Sequence, residues 1–488
     1  MKQLCLIIIT LLAYFPALSQ RDYHWVFGDS VGINFNTVPP SVDTTRIIMT
    51  EEPAASISDE NGNILFYAGT PNVNVASPLG KKFIVRSNND SIMIGGDSLA
   101  GNGSMTQGLL MLPFPNDTSK FYIFHIDYPA NNMGDYLYYS VVDMSLNNGL
   151  GEVIQSNVFI SDSVSEKMQS VKAANGNDWW LLTLQGYPVA KFYKYKIDST
   201  GINLISTQNS PQNYIAGAGQ LVFSKNGDKV LSVGSLGATY LYDFDRCEGI
   251  LSNPVLIDQY VSGFYTSERY GGSFSPSGRF VYLSNYDSLF QFDTYATNVK
   301  ASKLLIYFTP HPFTPHPDFV LGQHMLGPNG KIYISNGYLY PNQSPIDSFN
   351  THLSVINDPD SIGLACNFMP YSFSLLGRKT YSSLPNMPNY NLGKLENINC
   401  DSILAADVNE LNDFNIKVFP NPVSGKLFID VPNSFKQSIE ITIYSITGQI
   451  LLKSTYYDGI DFTSYDKGLY IVEVRSERNR VFRKLVRE

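Results

Sequence analysis

The sequence predicts an all-β protein in two folded parts, on three observations. Aromatic residues make up 13% and charged residues only 16%, with 32 Tyr, 37 Gly and 27 Pro, a profile that suits short strands joined by tight turns better than helices. A polar turn ending in Gly and followed by an apolar run recurs along the middle of the chain. From residue 414 onward, apolar and polar side chains alternate with period two, as they do in half-buried strands. At 488 residues and 43% hydrophobic content, the chain is long enough for two or three domains.

Residues 1–19 read as a signal peptide. Lys2 precedes an apolar run over 4–12, and Ala17-Leu18-Ser19 supplies a small-residue cleavage site before Gln20. The apolar run is too short to span a bilayer, and Cys5 lacks the context of a lipid-attachment site. The remaining cysteines, Cys247, Cys366 and Cys400, are odd in number in an oxidising compartment. One disulfide and one free thiol are expected, with the pairing open, and the spacing matches no zinc pattern.

The recurring phrase is 58–67, Ser-Asp-Glu-Asn-Gly-Asn-Ile-Leu-Phe-Tyr. It returns over 174–182, 223–231, 274–282 and 326–334, with a degenerate copy over 115–124. Each copy sets Gly62, Gly176, Gly227, Gly278 or Gly330 just before a run of aliphatic and aromatic residues, the pattern of a β-hairpin. The last four glycines are 51, 51 and 52 residues apart, a period expected of four-stranded propeller blades. A β-propeller over 20–395 follows, with seven blades as the first expectation and six as the alternative. Residues 25–27 and the remnant over 352–390 would share the closing blade. Residues 396–413 lose their aromatics and read as a linker.

The 414–488 segment has strands over 426–431, 439–444, 449–453, 469–474 and 480–486, broken at Gly425, Gly448 and Gly468. They describe a small Ig-like antiparallel sandwich. Its ordered phrases are Pro420-Asn421-Pro422, Tyr444 followed by Gly448, Gly468-Leu469-Tyr470, and a basic last strand. In these it resembles the C-terminal sorting domain (type A) of proteins exported by the type IX secretion system. That resemblance implies delivery through the periplasm to the cell surface or the medium, with the secretion machinery at the outer membrane as partner. The turns Ser275-Pro276-Ser277-Gly278-Arg279 and Gly327-Pro328-Asn329-Gly330-Lys331 resemble those of WD40-like and TolB-like propellers, and 138–151 and 353–357 look like phrases of secreted propellers bearing the same sorting domain.

Chemistry is sparse. The six His, at 24, 125, 311, 316, 324 and 352, form no metalloprotease motif, and there is no nucleophile elbow or phosphate loop. The stretch over 309–318 holds His311, His316 and Asp318 between prolines and reads as a surface loop rather than a metal site. Residues 59–63 mimic a calcium loop, but position twelve is Thr70, so turn chemistry explains them better. No metal or other cofactor is expected. Ser98, Ser163, Ser288 and Ser402 each follow Asp and match the O-glycosylation acceptor phrase of exported proteins in the same bacterial group; plain turns are the competing reading.

A formal charge of -9 argues against nucleic acid or an anionic membrane as partner. The expected function is a secreted or surface-bound binding or scaffold protein without enzymatic activity. Its target would be an extracellular protein or polysaccharide, met by aromatic and polar loops. The alternative is an extracellular hydrolase or lyase acting on glycans or peptides, with carboxylates at the central channel.

Overall fold

The computed structural model describes residues 19–71, 82–128, 135–186, 189–211, 217–261, 268–285, 287–309, 319–338, 349–396, 400, 417–430, 439–445, 449–455, 459–475 and 480–488. The expected signal peptide falls, except for Ser19, outside them. The chain divides into two compact units, Met1–Cys400 and Asp401–Glu488.

The first unit is a β-propeller of seven sheets around one axis. Five are four-stranded antiparallel meanders whose inner strands are Leu109–Phe114, Met168–Lys172, Leu221–Phe223, Arg269–Phe274 and Phe319–Leu326. A sixth runs Pro53–Ser58, Ile64–Gly69, Ile84–Ser87, and Leu384–Pro385 pairs in parallel on its inner edge. The seventh is His24–Phe27, Val31–Asn34, Ser41–Asp43. It closes the ring by touching both neighbours. On one side Trp25 and Phe35 pack edge-on against Tyr333, with ring centres 5.5 and 5.6 Å apart. On the other, Val26 N donates to Ser56 Oγ at 3.2 Å, and Ser56 Oγ to His24 O at 2.9 Å. Closure buries the faces of the end blades against their neighbours and leaves only the short outer edge of each blade unpaired.

The recurring turn joins the first and second strands of a blade. Gly62, Gly176, Gly227, Gly278 and Gly330 all have φ between 73° and 80°, a region that only Gly enters without strain. Asn116, with φ 65°, takes the same part in the degenerate copy, as Asn tolerates this conformation best among the other residues. Asp59 Oδ1 accepts from the backbone N of Asn61 and Asn63 at 2.9 and 2.8 Å, so this carboxylate caps its own turn. The apolar runs after the turns fill the space between blades: Phe66, Trp179, Tyr282 and Ile332 are fully buried.

One expectation about the ring needs correction. Residues 352–374 do not serve the closing blade; His352–Ile356 and Phe368–Ser374 are the outer strands of the blade begun at Phe319–Leu326, because their hairpin partner is Ile332–Tyr338. The C-terminal contribution to closure comes from residues 379–385.

From there the chain runs as a strap down the channel. Lys379 O accepts from Asp29 N at 2.9 Å, and Leu384 N donates to Gln323 Oε1 at 2.8 Å. Asn386 is the hub. Its Nδ2 donates to Leu109 O and Met168 O at 3.1 and 3.0 Å, its Oδ1 accepts from Gln107 and Gln169 Nε2 at 3.2 and 2.8 Å, and its backbone N donates to Ala54 O at 2.8 Å. Pro385 and Pro388 suit an extended segment with few ladder bonds. At the exit Asn389 Nδ2 donates to Lys225 O at 2.7 Å and Arg246 Nη2 to Gly393 O at 2.6 Å. A Cys247–Cys400 disulfide, with Cα atoms 5.5 Å apart, then staples the strap to its blade. Cys366 is buried and free, so one pair and one thiol is the arrangement formed.

In the second unit the sheet Lys417–Phe419, Lys426–Asp430, Ile460–Asp461 faces a four-stranded sheet ordered Ile450–Thr455, Glu440–Ser445, Gly468–Arg475, Arg480–Arg487. Val423, Leu427, Ile441, Ile443, Val472 and Leu485 form its own core. This is the expected small sandwich.

Candidate functional site at the channel mouth

The N-terminal ends of the inner strands converge at one mouth of the propeller, and the Gly turns lie at the other. Four glutamines ring the axis just inside the first mouth. Gln107 Nε2 donates to Leu221 O at 3.0 Å, Gln220 Oε1 accepts from Gly272 N and His324 N at 3.1 and 2.8 Å, and Gln169 and Gln323 hold the strap as described. Gln169, Gln220 and Gln323 each stand seven residues before a turn glycine, and Gln107 nine before Asn116. That period was legible in the sequence and was missed. In the copy ending at Gly278 the same position is Gly271, where an added Cβ would lie 2.0 Å from Gly322 O, so the packing admits no side chain.

Above the ring sits a carboxylate pair. Glu52 precedes Pro53–Ser58 and Glu166 precedes Met168–Lys172. Both meet Thr106, whose hydroxyl lies 2.9 Å from Glu166 Oε2 and 3.5 Å from Glu52 Oε2, while Thr106 N donates to Glu166 at 3.1 Å. Asp135 and Tyr270 are electrostatic neighbours of the pair. The residues keep some surface, yet their carboxyl groups are desolvated. Burial, reinforced by the charge of Glu166, pushes Glu52 up to about 8, and burial with the same neighbour pushes Asp135 up to about 7. Burial also raises Glu166 against the opposing bonds from Thr106. Lys167, buried, is held down to about 7 despite Glu166 beside it, and its Nζ donates to Val233 O. Such perturbed groups gathered around one hydroxyl at the strand ends make this mouth the candidate functional site.

A pH dependence follows. Folded Glu52 keeps its proton to about pH 8, against an ordinary value of 4.5, so the folded state binds more protons across that window and loses stability as pH rises through it. Glu52→Gln is neutral at every pH. Its stability relative to wild type is expected to increase between pH 5 and pH 8, as read by denaturant melts at both; a constant difference would contradict the raised value.

Among the described residues no three His, Cys, Asp or Glu side chains converge to hold a metal. His324 is buried, with Nδ1 3.2 Å from Ser273 Oγ and Nε2 3.0 Å from Ser284 Oγ, and burial lowers it to about 3. His125 is likewise buried between Ala100 O and Ser140 Oγ and lowered to about 4. Both are structural. His311 and His316 lie outside the described residues. Of the four serines, Ser98 is partly exposed and accepts from Lys82 Nζ at 2.6 Å. Ser288 is buried and donates to Asp287 at 2.7 Å. Ser163 lies on the strand Glu152–Val164, its side chain outside the description, and Ser402 is outside it altogether.

In the sandwich, Pro420-Asn421-Pro422 fastens the entry to the last strand: Asn421 Nδ2 donates to Lys484 O and Asn421 Oδ1 accepts from Val486 N, both at 2.9 Å. Tyr444 donates to Glu473 across the sheet. The Tyr470 hydroxyl donates to Asp466 O at 2.6 Å, and its ring packs edge-on against Phe462. Gly468 and Leu469 begin the strand Gly468–Arg475 that carries Tyr470, and Gly448 lies outside the described residues.

Residues 417–488 match the family of the secretion system C-terminal sorting domain. None of the curated proteins matches the chain significantly. Among solved structures, it is similar to a periplasmic gluconolactonase of Pseudomonas aeruginosa, at 10% identity and TM-score 0.38 over 86% of this chain and 98% of that one. It is also similar to the Cps50 (Swd1) β-propeller domain of Myceliophteria thermophila, at 12% and 0.37 over 66% and 95%. A protein from Lactobacillus plantarum matches at 12% and 0.39 over 81% and 98%. None of these likenesses bears on activity. The matched domain directs export to the cell surface or beyond, and no described helix is long and apolar enough to cross a membrane.

Proposed function

With residues 417–488 as the address that takes the chain out of the cell, we propose that the propeller is an extracellular binding protein for a hydroxyl-rich target, a polysaccharide or its free end. One observation carries this reading. Glu52 and Glu166 flank the single hydroxyl of Thr106, and Glu52 holds a proton at neutral pH, so the mouth offers carboxyl donors and acceptors side by side. A sugar hydroxyl both donates and accepts, and a desolvated cup with both functions binds it better than a uniformly charged one.

A second reading is favoured by the same pair. A carboxyl titrating near neutrality beside a second carboxylate is the equipment of a general acid and its partner in glycan hydrolysis or elimination. Glu52→Gln separates the two. The amide preserves size and a donor, so a pure binder keeps its affinity for extracellular polysaccharide within about threefold, whereas an acid catalyst loses turnover by about 10²-fold or more. The measurement pairs affinity electrophoresis with a reducing-end assay on full-length protein. Turnover by wild type that the variant lacks would replace the binding reading with the enzymatic one.

A further inference from the structure

The strand Asp135–Asp143 runs away from the mouth in the blade begun at Leu109–Phe114 and pairs with the outer strand Glu152–Val164. Three aromatic rings gather on this pair. Tyr136, Tyr138 and Phe159 stand edge to face, with ring centres 6.3, 5.9 and 5.9 Å apart. Phe159 is 55% exposed, and both tyrosines are partly exposed. Single apolar side chains scattered over a surface are ordinary, but a contiguous group of this kind marks a contact site.

The group is held from behind. The His125 ring lies beside that of Tyr138, centres 5.7 Å apart, and is itself fixed by Ala100 O and Ser140 Oγ. Asn157, with φ 55°, sits at a bulge in the outer strand, where Ala100 N donates to its Oδ1 at 2.8 Å and its Nδ2 donates to Ser98 O at 3.1 Å. The pairing slips again between Phe159 and Ser161, so Phe159 stands between two irregularities, a device that re-aims a side chain. The rings are also continuous with the mouth along two paths. Asp135, next to Tyr136, is an electrostatic neighbour of Glu166, and the segment anchored at Ala100 leads directly to Thr106 between the two glutamates. Tyr138 lies about 10 Å along its strand from Asp135.

We propose that these rings are a second subsite for a neutral polysaccharide whose end enters the mouth, an inference that rests on the binding function proposed above. The C–H face of a sugar ring is apolar and weakly positive and lies well on the negative face of an aromatic ring, while tyrosine hydroxyls meet sugar hydroxyls at its rim. Rings fixed on paired strands lose little freedom when they bind. Charge sets the class of polymer: Asp127 is beside Tyr138, and the mouth adds Asp135, Glu52 and Glu166, so a uronic-acid polymer is repelled. Size sets the kind of partner. Three rings fall well short of the roughly 800 Å² that each side of a stable protein interface buries, but they suit a short run of sugars.

The test uses full-length protein in affinity electrophoresis against laminarin, xylan, mannan and alginate, then isothermal titration calorimetry with the disaccharide and hexasaccharide of the neutral polymer that retards it most. Wild type is expected to bind the hexasaccharide at least about tenfold tighter than the disaccharide and to pass alginate freely. Phe159→Ser, at a half-exposed position, should fold; it is expected to erase the gain with length while disaccharide affinity stays within about threefold, and Phe159→Trp is expected to keep the gain. Glu166→Ala is expected to weaken both oligosaccharides alike. A gain that survives Phe159→Ser, or no gain in wild type, would overturn the subsite and leave the mouth standing. A loss in Phe159→Ser with none in Glu166→Ala would uphold the rings and overturn the mouth. Retardation by alginate equal to that by the neutral polymers would overturn the assigned class, and retardation by none of the four would overturn subsite and mouth together.

Discussion

A chain ended after Cys400 is expected to fold, form its Cys247–Cys400 disulfide and accumulate in the periplasm, with surface and medium levels falling to background. The propeller and the sandwich have separate cores, so removal of one costs the other no buried apolar area within its own core. The address lies wholly in 417–488. The strap, by contrast, belongs to the propeller and must be retained, since its last anchor is Cys400. Immunoblots of periplasm, membrane and medium fractions read the outcome. Normal delivery of the truncated chain would show that the sorting domain is dispensable for this cargo.

Replacement of Asn386 by Leu is expected to destabilise the propeller by about 3–5 kcal/mol, the cost of leaving several buried polar groups unpaired. The Asn386 side chain serves two carbonyls and two glutamine amides on two neighbouring blades, and Gln107, Gln169 and Asn386 are all buried. Leu is close in size and keeps the backbone bond to Ala54 O, so the loss isolates the polar hub. Asn386→Asp keeps the acceptor but brings a buried charge and loses both donated bonds, and should be no better tolerated. Urea denaturation of each variant measures the effect; a loss below about 1 kcal/mol would mean that the strap is a passive filler.

Local features were legible in the sequence. A turn glycine such as Gly227 announces itself because its requirement, positive φ before an apolar strand, is settled within ten residues. The sandwich was legible for the same reason, and its identity came from the order of short phrases around Asn421, Tyr444 and Tyr470. The parts that escaped depend on ring closure. Asn386 meets Gln107 across 279 residues and Gln169 across 217, and no local pattern marks an Asn between two prolines as the residue that ties three blades together. Glu52 and Glu166 are unremarkable acids in sequence; they become a pair only because their strands begin at the same mouth with Thr106 between them. The Cys247–Cys400 pairing spans 153 residues and follows from the path of the strap.

The most direct test of the central claim, that the mouth is where this exported propeller meets its target, is a crystal structure of the full chain with an oligosaccharide fragment of a polysaccharide it binds. Sugar hydroxyls are expected within hydrogen-bond distance, about 2.6–3.2 Å, of the Glu52 and Glu166 carboxyls. A fragment bound elsewhere on the chain, with the carboxyl pair untouched, would contradict it.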